Sequence, residues 1–167
     1  MAKGYTQSYG VDYQETFTSV AKLNIVRILL SLVANQDWPL LQFDVKNAFL
    51  HGEILEEIYI DSPLGMTDSI GMKVCKLKKA LYGLKQSPRA WFGRFTKYMK
   101  AFGYRVNNSD HTLFLKRRKG RITTLIIYVD DMIVTGKDQD EISSLQQYLA
   151  SEFEMKQLGN LKIFFGY

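Results

Sequence analysis

Hydrophobic and polar residues follow two distinct periods along this chain, and these periods predict its elements. Over residues 21–35 apolar positions recur every three or four residues, which predicts an amphipathic helix with Ser19 available as its N-cap. Residues 41–45 then alternate apolar and polar side chains, the pattern of a half-buried strand. This alternation leaves Asp44 on the side of the strand that faces away from the core.

The middle of the chain predicts a short excursion and then a second helix. Residues 57–61 and 73–77 have strand character and are joined by a loop rich in serine, proline and glycine, so a hairpin-like excursion is expected. Ser87 is placed as an N-cap and Pro88 at the first helical position of a helix with one apolar face. Gly103 is expected to stop this helix.

Two hairpins are predicted in the second half of the chain. The first joins strands 112–116 and 122–129 through a charged turn that contains a glycine. The next apolar run is interrupted only by Asp130 and Asp131. This pattern predicts a second hairpin whose turn is the pair of acids.

The order of the predicted elements is typical of an α+β fold. A helical pattern over residues 140–153 and a final strand at residues 161–165 follow the second hairpin. With the first helix and the excursion set aside, the order is β-α-β-β-α-β. This is the ferredoxin-like order, in which an antiparallel sheet carries two helices on one face and leaves the other face open. The first strand then lies beside the central hairpin, so Asp44 is expected to meet Asp130 and Asp131.

Composition narrows the class of protein. The chain has 167 residues, 46% hydrophobic and 23% charged, which suits one compact domain. A formal charge of +5 favours a polyanionic partner such as nucleic acid, although soluble domains carry similar charges for solubility alone. The single cysteine, Cys75, excludes an internal disulfide and argues against a zinc site. The most apolar stretch, residues 25–34, is shorter than the ~20 residues that span a bilayer, so no membrane segment is predicted. Residues 1–10 lack the apolar core of a secretory signal, so no export is predicted.

Three carboxylates on one solvent-facing sheet surface have a definite chemistry. Their charges repel each other unless cations neutralise them, and hard oxygen ligands select magnesium or manganese. Two such ions can activate an attacking hydroxyl and stabilise the leaving oxygen of a phosphoryl transfer. The alternative interpretation is that Asp130 and Asp131 are ordinary turn residues, because aspartate is common in turns.

Several ordered segments carry a specific resemblance to a known family. The longest are Phe43–Gly52 (FDVKNAFLHG), Leu81–Trp91 (LYGLKQSPRAW) and Tyr128–Asp131 (YVDD). Shorter matches at residues 2–7, 15–17, 109–114 and 158–161 extend the likeness through essentially the whole chain. Together these segments closely resemble the reverse transcriptases of copia-type LTR retrotransposons.

The resemblance implies a fold, an activity and a cofactor. The fold is a right-hand polymerase palm with the ferredoxin-like order described above and part of the fingers. The activity is RNA-directed DNA polymerisation, in which an RNA or DNA template is copied into DNA from a primer 3′ hydroxyl. Asp44, Asp130 and Asp131 become the catalytic acids and the ligands of two Mg²⁺ ions, for which Mn²⁺ can substitute. Asp131 takes the less direct position on the metals.

The same resemblance assigns contacts with the incoming nucleotide and the nucleic acid. Phe49 matches a ring that lies under the nucleotide sugar and collides with a 2′ hydroxyl, although packing in the core is the usual fate of phenylalanine. Gly83 matches a loop whose backbone approaches the nucleotide closely. Further residues assigned to the substrate are Val45, Tyr82 and Tyr128. Lys85 and Arg89 are assigned to phosphates, with a solvated surface position as the alternative.

Two further groups are left outside the predicted site. A charged hairpin tip is more often solvated than functional. The tip in question consists of Lys116, Arg117, Arg118, Lys119 and Arg121. His51 and His111 lack companion ligands at a metal-binding spacing, so both are interpreted as structural or surface residues.

The resemblance also sets expectations about context. Residues 1–167 are expected to form a single fragment of the reverse transcriptase domain that lacks the N-terminal fingers strands, the thumb and RNase H. The expected partners are a primer with an RNA or DNA template, deoxynucleoside triphosphates and the remainder of a Pol polyprotein that also carries DNA integration functions. No association with a membrane is expected. The expected location is intracellular, in a cytoplasmic virus-like particle or in the nucleus.

Two other functions stay open at this point. One is a catalytically inactive retrotransposon remnant that retains the palm fold and binds nucleic acid weakly. The other is a nucleotidyl cyclase, because cyclases share a palm-like sheet with paired metal-binding aspartates. The motifs around Phe49 and Gly83 argue against the cyclase.

Overall fold

A computed structural model describes residues 4–13, 16, 20–61 and 74–160 of the chain. The described residues group into two compact units. The first is drawn from residues 1–18 and 49–94, and the second from residues 19–48 and 95–167. The second unit contains the main sheet, and each unit is considered by itself.

The second unit is built on an antiparallel sheet of six strands in the order β4-β5-β6-β7-β1-β8. The strands are β1 (Leu40–Val45), β4 (Arg105–Val106), β5 (Leu113–Arg118), β6 (Arg121–Tyr128), β7 (Asp131–Gly136) and β8 (Met155–Asn160). Strand β1 lies directly against β7, which confirms the predicted adjacency of the first strand and the central hairpin. The fold is mixed α+β, as the element order predicts.

The alternation of side chains along the strands sets the two faces of this sheet. Helix α1 (Leu23–Gln36) packs on one face, where Val26 and Leu29 join a buried cluster with Leu113, Ile126 and Ile133. This face was expected to be open, and that expectation is wrong because α1 covers part of it. The apolar spacing along α1 requires a partner surface of this kind.

The opposite face of the sheet carries the other two helices. Helix α2 (Ser87–Ala101) contributes Phe95, whose ring lies 5.5 Å from that of Phe114 on β5. Helix α3 (Gln139–Glu152) packs beside it, with the rings of Tyr98 and Tyr148 stacked at 4.2 Å. Helix α2 crosses the boundary between the units, because its residues 87–94 belong to the first unit and 95–101 to the second.

Charged residues near the β5–β6 turn tie this hairpin to the start of α3. The guanidinium of Arg118 donates two 3.0 Å hydrogen bonds to Asp138, which also caps α3 by accepting from the N–H of Glu141. Lys116 lies 2.9 Å from the buried carboxylate of Glu141. The turn itself is Lys119 and Gly120, both at positive φ, so Arg118 belongs to the strand rather than to the predicted turn. Two of the cations that the sequence placed in a solvated tip are therefore held by acids.

The first unit contains the predicted excursion and an N-terminal segment. Strands β2 (Tyr59–Asp61) and β3 (Val74–Lys76) pair antiparallel, which confirms the hairpin. The loop that joins them lies outside the described residues. A short 3-10 turn at Gly4–Thr6 lies in this unit, as does all but the first residue of another at Ala48–His51.

The starts of two helices differ from the sequence prediction. Helix α1 has Lys22 rather than Ser19 as its N-cap, and the backbone N–H of Lys22 donates to the Asp110 carboxylate at 2.8 Å. Ser19 itself lies outside the described residues. Helix α2 already includes Ser87, whose hydroxyl donates to the carbonyl of Leu81 at 2.6 Å instead of capping the first turn. The prediction of both caps is wrong because partners outside each helix fix its start.

The structure contains one further strand near the end of the described residues that the sequence did not predict, β8 at Met155–Asn160. The predicted strand at residues 161–165 lies outside the described residues. In β8 the apolar side chains Met155 and Leu158 are three residues apart, so the strand lacks the alternating pattern on which a strand prediction relies. Strand β4 was missed as well, because two residues are too few for a pattern.

Candidate active site

Two of the three predicted acids are neighbours on adjacent strands of the sheet. Asp44, near the end of β1, and Asp131, at the start of β7, are paired residues in the β1–β7 ladder. Paired residues of an antiparallel ladder project from the same face, with Cβ atoms about 4.5–5.5 Å apart. Both side chains are half-buried, and they share the face on which α1 packs. The structure therefore brings these two carboxylates together.

The third acid, Asp130, lies in the turn that joins β6 to β7. The turn consists of Val129 and Asp130, since Tyr128 pairs with Asp131. The prediction that Asp130 and Asp131 form the turn is wrong by one residue, because Asp131 already belongs to the strand. The backbone N–H of Val45 donates to the carbonyl of Asp130 at 2.9 Å, which holds the turn against β1.

Val129 has an unusual backbone conformation for its residue type. Its φ is +59°, in the left-handed region, where the Cβ of an L-residue crowds its own backbone. The first position of a two-residue turn with positive φ normally belongs to glycine, and a β-branched residue there costs about 1–2 kcal/mol. Such strain persists only where surrounding contacts fix the conformation, and it concentrates at functional sites. The position of this strain, directly before Asp130, supports a role for the turn.

The electrostatics of the acids are coupled. Burial raises the pKa of Asp131, and the neighbouring carboxylates of Asp130 and Asp44 raise it further. A hydrogen bond from the side chain of Gln42 to Asp131, at 3.4 Å, acts in the opposite direction and lowers this pKa. Gln42 lies on the same face as Asp44, two residues before it, and the sequence prediction missed it.

Hard divalent cations suit this donor set. Three neighbouring carboxylates whose charges oppose one another are stabilised by a cation, and oxygen ligands favour Mg²⁺ or Mn²⁺. Within the described ranges, no group of three or more histidine, cysteine, aspartate or glutamate side chains is arranged so that it could hold a metal ion. The fit of Asp44, Asp130 and Asp131 to such ions rests on the chemistry of their oxygen donors and on the coupling of their charges.

Basic residues beside the acids were also missed by the sequence prediction. Lys156 on β8 is the ladder partner of Asp44 and is exposed. The ammonium group of Lys46 lies 2.6 Å from Glu154, and its backbone N–H donates to the carbonyl of the same residue. The positions of both lysines beside the acids result from the pairing of β1 with β8, an edge strand that the sequence did not predict.

Two residues assigned to the nucleotide lie next to the acids in the second unit. Tyr128 is the ladder partner of Asp131 and packs against the cluster around α1. The side chain of Val45 is buried, with 1% of its surface exposed, and points to the opposite face of the sheet from Asp44. Any contact of Val45 with a substrate would therefore involve its backbone.

The other residues assigned to the nucleotide form a group in the first unit. The ring of Phe49, in the second 3-10 turn, lies 4.6 Å from that of Tyr82. Tyr82 is 38% exposed and precedes Gly83, whose φ of +97° is a conformation that favours glycine. This unit therefore contains an aromatic pair, in which Phe49 is half-buried and Tyr82 exposed, beside a loop whose shape depends on glycine.

The two cations assigned to nucleic acid lie at the end of this loop and on the following helix. Lys85 is exposed, and its backbone N–H donates to the side chain of Gln7 at 2.9 Å. Arg89 is exposed on the first turn of α2. Gln7 also bonds to the side chain of Gln86, the residue after Lys85. The sequence did not indicate this pair, because the two residues are 79 positions apart.

Comparisons with known proteins identify the family to which the chain belongs. The family described as reverse transcriptase (RNA-dependent DNA polymerase) matches residues 1–167. The retrovirus-related Pol polyprotein from transposon TNT 1-94 of Nicotiana tabacum is 44% identical over 162 residues, which cover 95% of this chain and 12% of that protein. The Pol polyprotein from transposon RE1 of Arabidopsis thaliana is 40% identical over 167 residues, 99% of this chain and 11% of that protein.

More distant relatives include the transposon Ty1-DR5 Gag-Pol polyprotein of Saccharomyces cerevisiae. It is 31% identical over 154 residues, which cover 87% of this chain and 8% of that protein. The chain thus spans about a tenth of the length of the curated relatives it matches. No solved structure matches the chain. No helix among the described residues is long and apolar enough to cross a membrane.

Because the family matches the whole chain and relatives align with nearly all of it, the predicted resemblance to copia-type enzymes is confirmed, and the chain belongs to the reverse transcriptase (RNA-dependent DNA polymerase) family.

Proposed function

We propose that this chain is the palm, with part of the fingers, of a single reverse transcriptase domain in a retrotransposon Pol polyprotein, and that it catalyses RNA-directed DNA synthesis. The palm assignment rests on the ferredoxin-like order of elements. The observation that carries the proposal is the pairing of Asp44 with Asp131 beside a turn that contains Asp130. Membership of the family makes nucleotidyl transfer the reaction to expect from such a site.

Asp44, Asp130 and Asp131 would hold two magnesium ions. When bound, these ions activate the primer 3′ hydroxyl and stabilise the charge that develops on the phosphate and on the departing pyrophosphate. The acids of the chain supply the negative field that concentrates the cations at one end of β1 and β7. The coupling that raises the pKa of Asp131 supports this role, because a bound cation relieves the repulsion between carboxylates.

The remaining assigned residues would recognise substrates. Phe49 would bear on the sugar of the incoming deoxynucleotide and exclude a 2′ hydroxyl, and Tyr82 and Gly83 would line the same pocket. Tyr128 and the backbone of Val45 would support the nucleotide and the primer end. Lys85 and Arg89 would contact phosphates without reading sequence, as cationic side chains do. The partners are a primer with an RNA or DNA template, deoxynucleoside triphosphates and the remaining segments of Pol, in a virus-like particle or in the nucleus.

Primer extension tests this proposal. The wild-type chain and Asp130→Asn are compared on poly(rA) with an oligo(dT) primer, dTTP and Mg²⁺, with Asp37→Asn as the matched control. Asp37 is exposed and at φ +51°, a conformation that asparagine tolerates, so the control makes the same chemical change outside the site. Extension by the wild type and the control but not by Asp130→Asn is the expected result. Consumption of a triphosphate without a primer would indicate a cyclase, and no turnover by a folded wild-type chain would indicate an inactive remnant.

A further inference from the structure

Gln7 in the first unit makes two hydrogen bonds to the loop that contains Gly83. Its side-chain oxygen accepts from the backbone N–H of Lys85 at 2.9 Å. Its side-chain nitrogen donates to the side-chain oxygen of Gln86 at 3.0 Å. One amide side chain thus bonds to both the backbone and a side chain of the same loop.

Gln86 completes this connection from the loop side. It is buried, with 2% of its surface exposed, and its side-chain nitrogen donates to the carbonyl of Asp12 at 3.3 Å. A buried amide left without partners is costly, so Gln86 depends on the N-terminal segment for its hydrogen bonds. The N-terminal segment, residues 4–13, is therefore bonded to the loop at two places, through Gln7 and through the carbonyl of Asp12.

The backbones of the two segments also approach each other closely. A Cβ built on Gly4 would lie 1.8 Å from the carbonyl oxygen of Gly83, a distance that no side chain allows. Gly4 must therefore remain glycine for the segment to lie here. The position of Gly83 is fixed by this backbone contact and by the hydrogen bonds of Gln7 two residues further along the loop.

The loop in turn positions the aromatic pair. Tyr82 directly precedes Gly83, and its ring contacts Phe49 at a centroid distance of 4.6 Å. A shift of the loop backbone would carry the Tyr82 ring with it and change the support of the Phe49 ring. The connected path runs from Gln7 through Lys85 and Gly83 to Tyr82 and Phe49.

We infer that Gln7 is a positioning residue that fixes the Tyr82–Lys85 loop and thereby sets how well the chain binds deoxynucleotides and excludes ribonucleotides. This inference rests on the proposed function, because that function assigns Phe49 and Gly83 to the nucleotide. Gln7 itself does not touch the substrate. Its loss should weaken nucleotide binding and sugar selection more than turnover.

The experiment uses Gln7→Ala and Gln7→Glu, with Ser8→Ala as the control. Ser8 lies in the same segment, and its hydrogen bond to Asp12 is made by its backbone N–H, which alanine retains. Glutamate at position 7 keeps the acceptor for Lys85 but lacks the donor for Gln86, so it should give an intermediate effect. Melting temperatures are recorded so that only folded variants are compared.

Two readouts separate positioning from a merely structural role. Hydrogen–deuterium exchange of a peptide that contains residues 82–86 should be faster in Gln7→Ala, because the Lys85 amide loses its acceptor. On poly(rA) with oligo(dT), KM for dTTP should rise at least about fivefold, the size expected for the loss of one of the two neutral hydrogen bonds that Gln7→Ala removes, while kcat changes less. Selection of dTTP over UTP should fall, and Ser8→Ala should match the wild type in all of these measurements.

Each other outcome has a defined meaning. Unchanged exchange at residues 82–86 in Gln7→Ala would overturn the contact itself. Faster exchange with unchanged KM and unchanged sugar selection would overturn the positioning role. If the wild type extends no primer, the proposed function fails separately, and exchange is then measured with primer–template and dTTP present. Protection of residues 82–86 by dTTP that Gln7→Ala lacks would still support the inference, and no such protection would overturn it.

Discussion

Asp44 and Asp131 are ladder partners on adjacent antiparallel strands, and their carboxylates project from the same face of the sheet. Their proximity is set by the backbone register of the β1–β7 ladder. Burial and the neighbouring charges of Asp130 and Asp44 raise the pKa of Asp131. The fold therefore maintains a concentrated negative charge at this end of the sheet.

The hydrogen bond from Gln42 should tune this charge. In Gln42→Ala the pKa of Asp131 is expected to rise further, because the mutation removes the donor that lowers it. In Asp130→Asn the same pKa should fall, since a like charge is lost. Carboxyl carbon NMR titration of the metal-free protein measures both shifts. Gln157→Ala serves as the control, because this exposed β8 residue is the ladder partner of Phe43 and lies on the opposite face of the sheet from Asp131. If Asp131 titrates identically in Gln42→Ala and in the wild type, the predicted coupling is contradicted.

The backbone strain at Val129 should lower the stability of the protein. Val129→Asn is expected to increase the free energy of unfolding by about 1 kcal/mol, because asparagine tolerates positive φ better than a β-branched residue. Urea denaturation measures the change. The same substitution at Val106, a half-buried strand residue, should destabilise the protein instead. Destabilisation by both substitutions to a similar degree would argue against strain at Val129.

The pair formed by Asp138 and Arg118 should make stability depend on pH. The hydrogen bond from Arg118 holds the pKa of Asp138 at about 2, below the value of about 4 for an unfolded chain. A carboxyl group whose pKa is lower in the folded state stabilises the fold above the unfolded pKa, and this contribution is lost as pH falls through the folded pKa. The stabilisation should therefore be present above about pH 4 and disappear towards pH 2.

Asp138→Asn isolates this contribution, because asparagine preserves the N-cap of α3 and removes only the charge. The variant should be less stable than the wild type at neutral pH and equally stable near pH 2. Urea midpoints across this range measure the difference between the two proteins, in which the other carboxyl groups cancel. If the difference in urea midpoint between the two proteins stays constant from pH 7 to pH 2, the predicted contribution of the Asp138–Arg118 pair is contradicted.

Removal of the Phe49 ring should relax selection of the sugar. Phe49→Ala is expected to increase incorporation of UTP relative to dTTP by roughly 10-fold or more, the scale on which a pocket discriminates by size. Tyr59→Ala, which removes an exposed ring on β2 of the same unit, is the matched control and should have no effect. A Phe49→Ala variant that excludes ribonucleotides as well as the wild type does would remove Phe49 from the proposed site.

The sequence predicted those parts of the fold in which side-chain periodicity reports burial. The alternation over β1 placed Asp44 on the opposite face from Phe43 and Val45, the apolar runs of β6 and β7 predicted the second hairpin, and the ferredoxin-like order placed this hairpin beside β1. The position of the turn was missed by one residue because intrinsic preference argues against Val129 at positive φ, and only the β6–β7 register reveals it. The open face was mispredicted because α1 was set aside when the order of elements was compared with the ferredoxin-like order.

Other features could not be predicted because they depend on partners distant in the sequence. The start of α1 is fixed by the bond between Lys22 and Asp110, which are 88 residues apart. The edge strand β8 has no alternating apolar pattern, so Lys156 was not expected opposite Asp44. The hydrogen bonds of Gln7 likewise join two segments whose proximity no local pattern encodes.

Metal binding tests most directly whether the acids form a catalytic centre. Mn²⁺ binding is followed by electron paramagnetic resonance in the presence of primer–template and a dTTP analogue that cannot react, for the wild type, Asp44→Asn, Asp130→Asn and the control Asp37→Asn. Affinity for Mn²⁺ should fall by about tenfold or more in the two site variants, on the scale that mutations around metal sites produce, and remain unchanged in the control. Equal Mn²⁺ affinity in all four proteins would contradict the assignment of these acids as metal ligands.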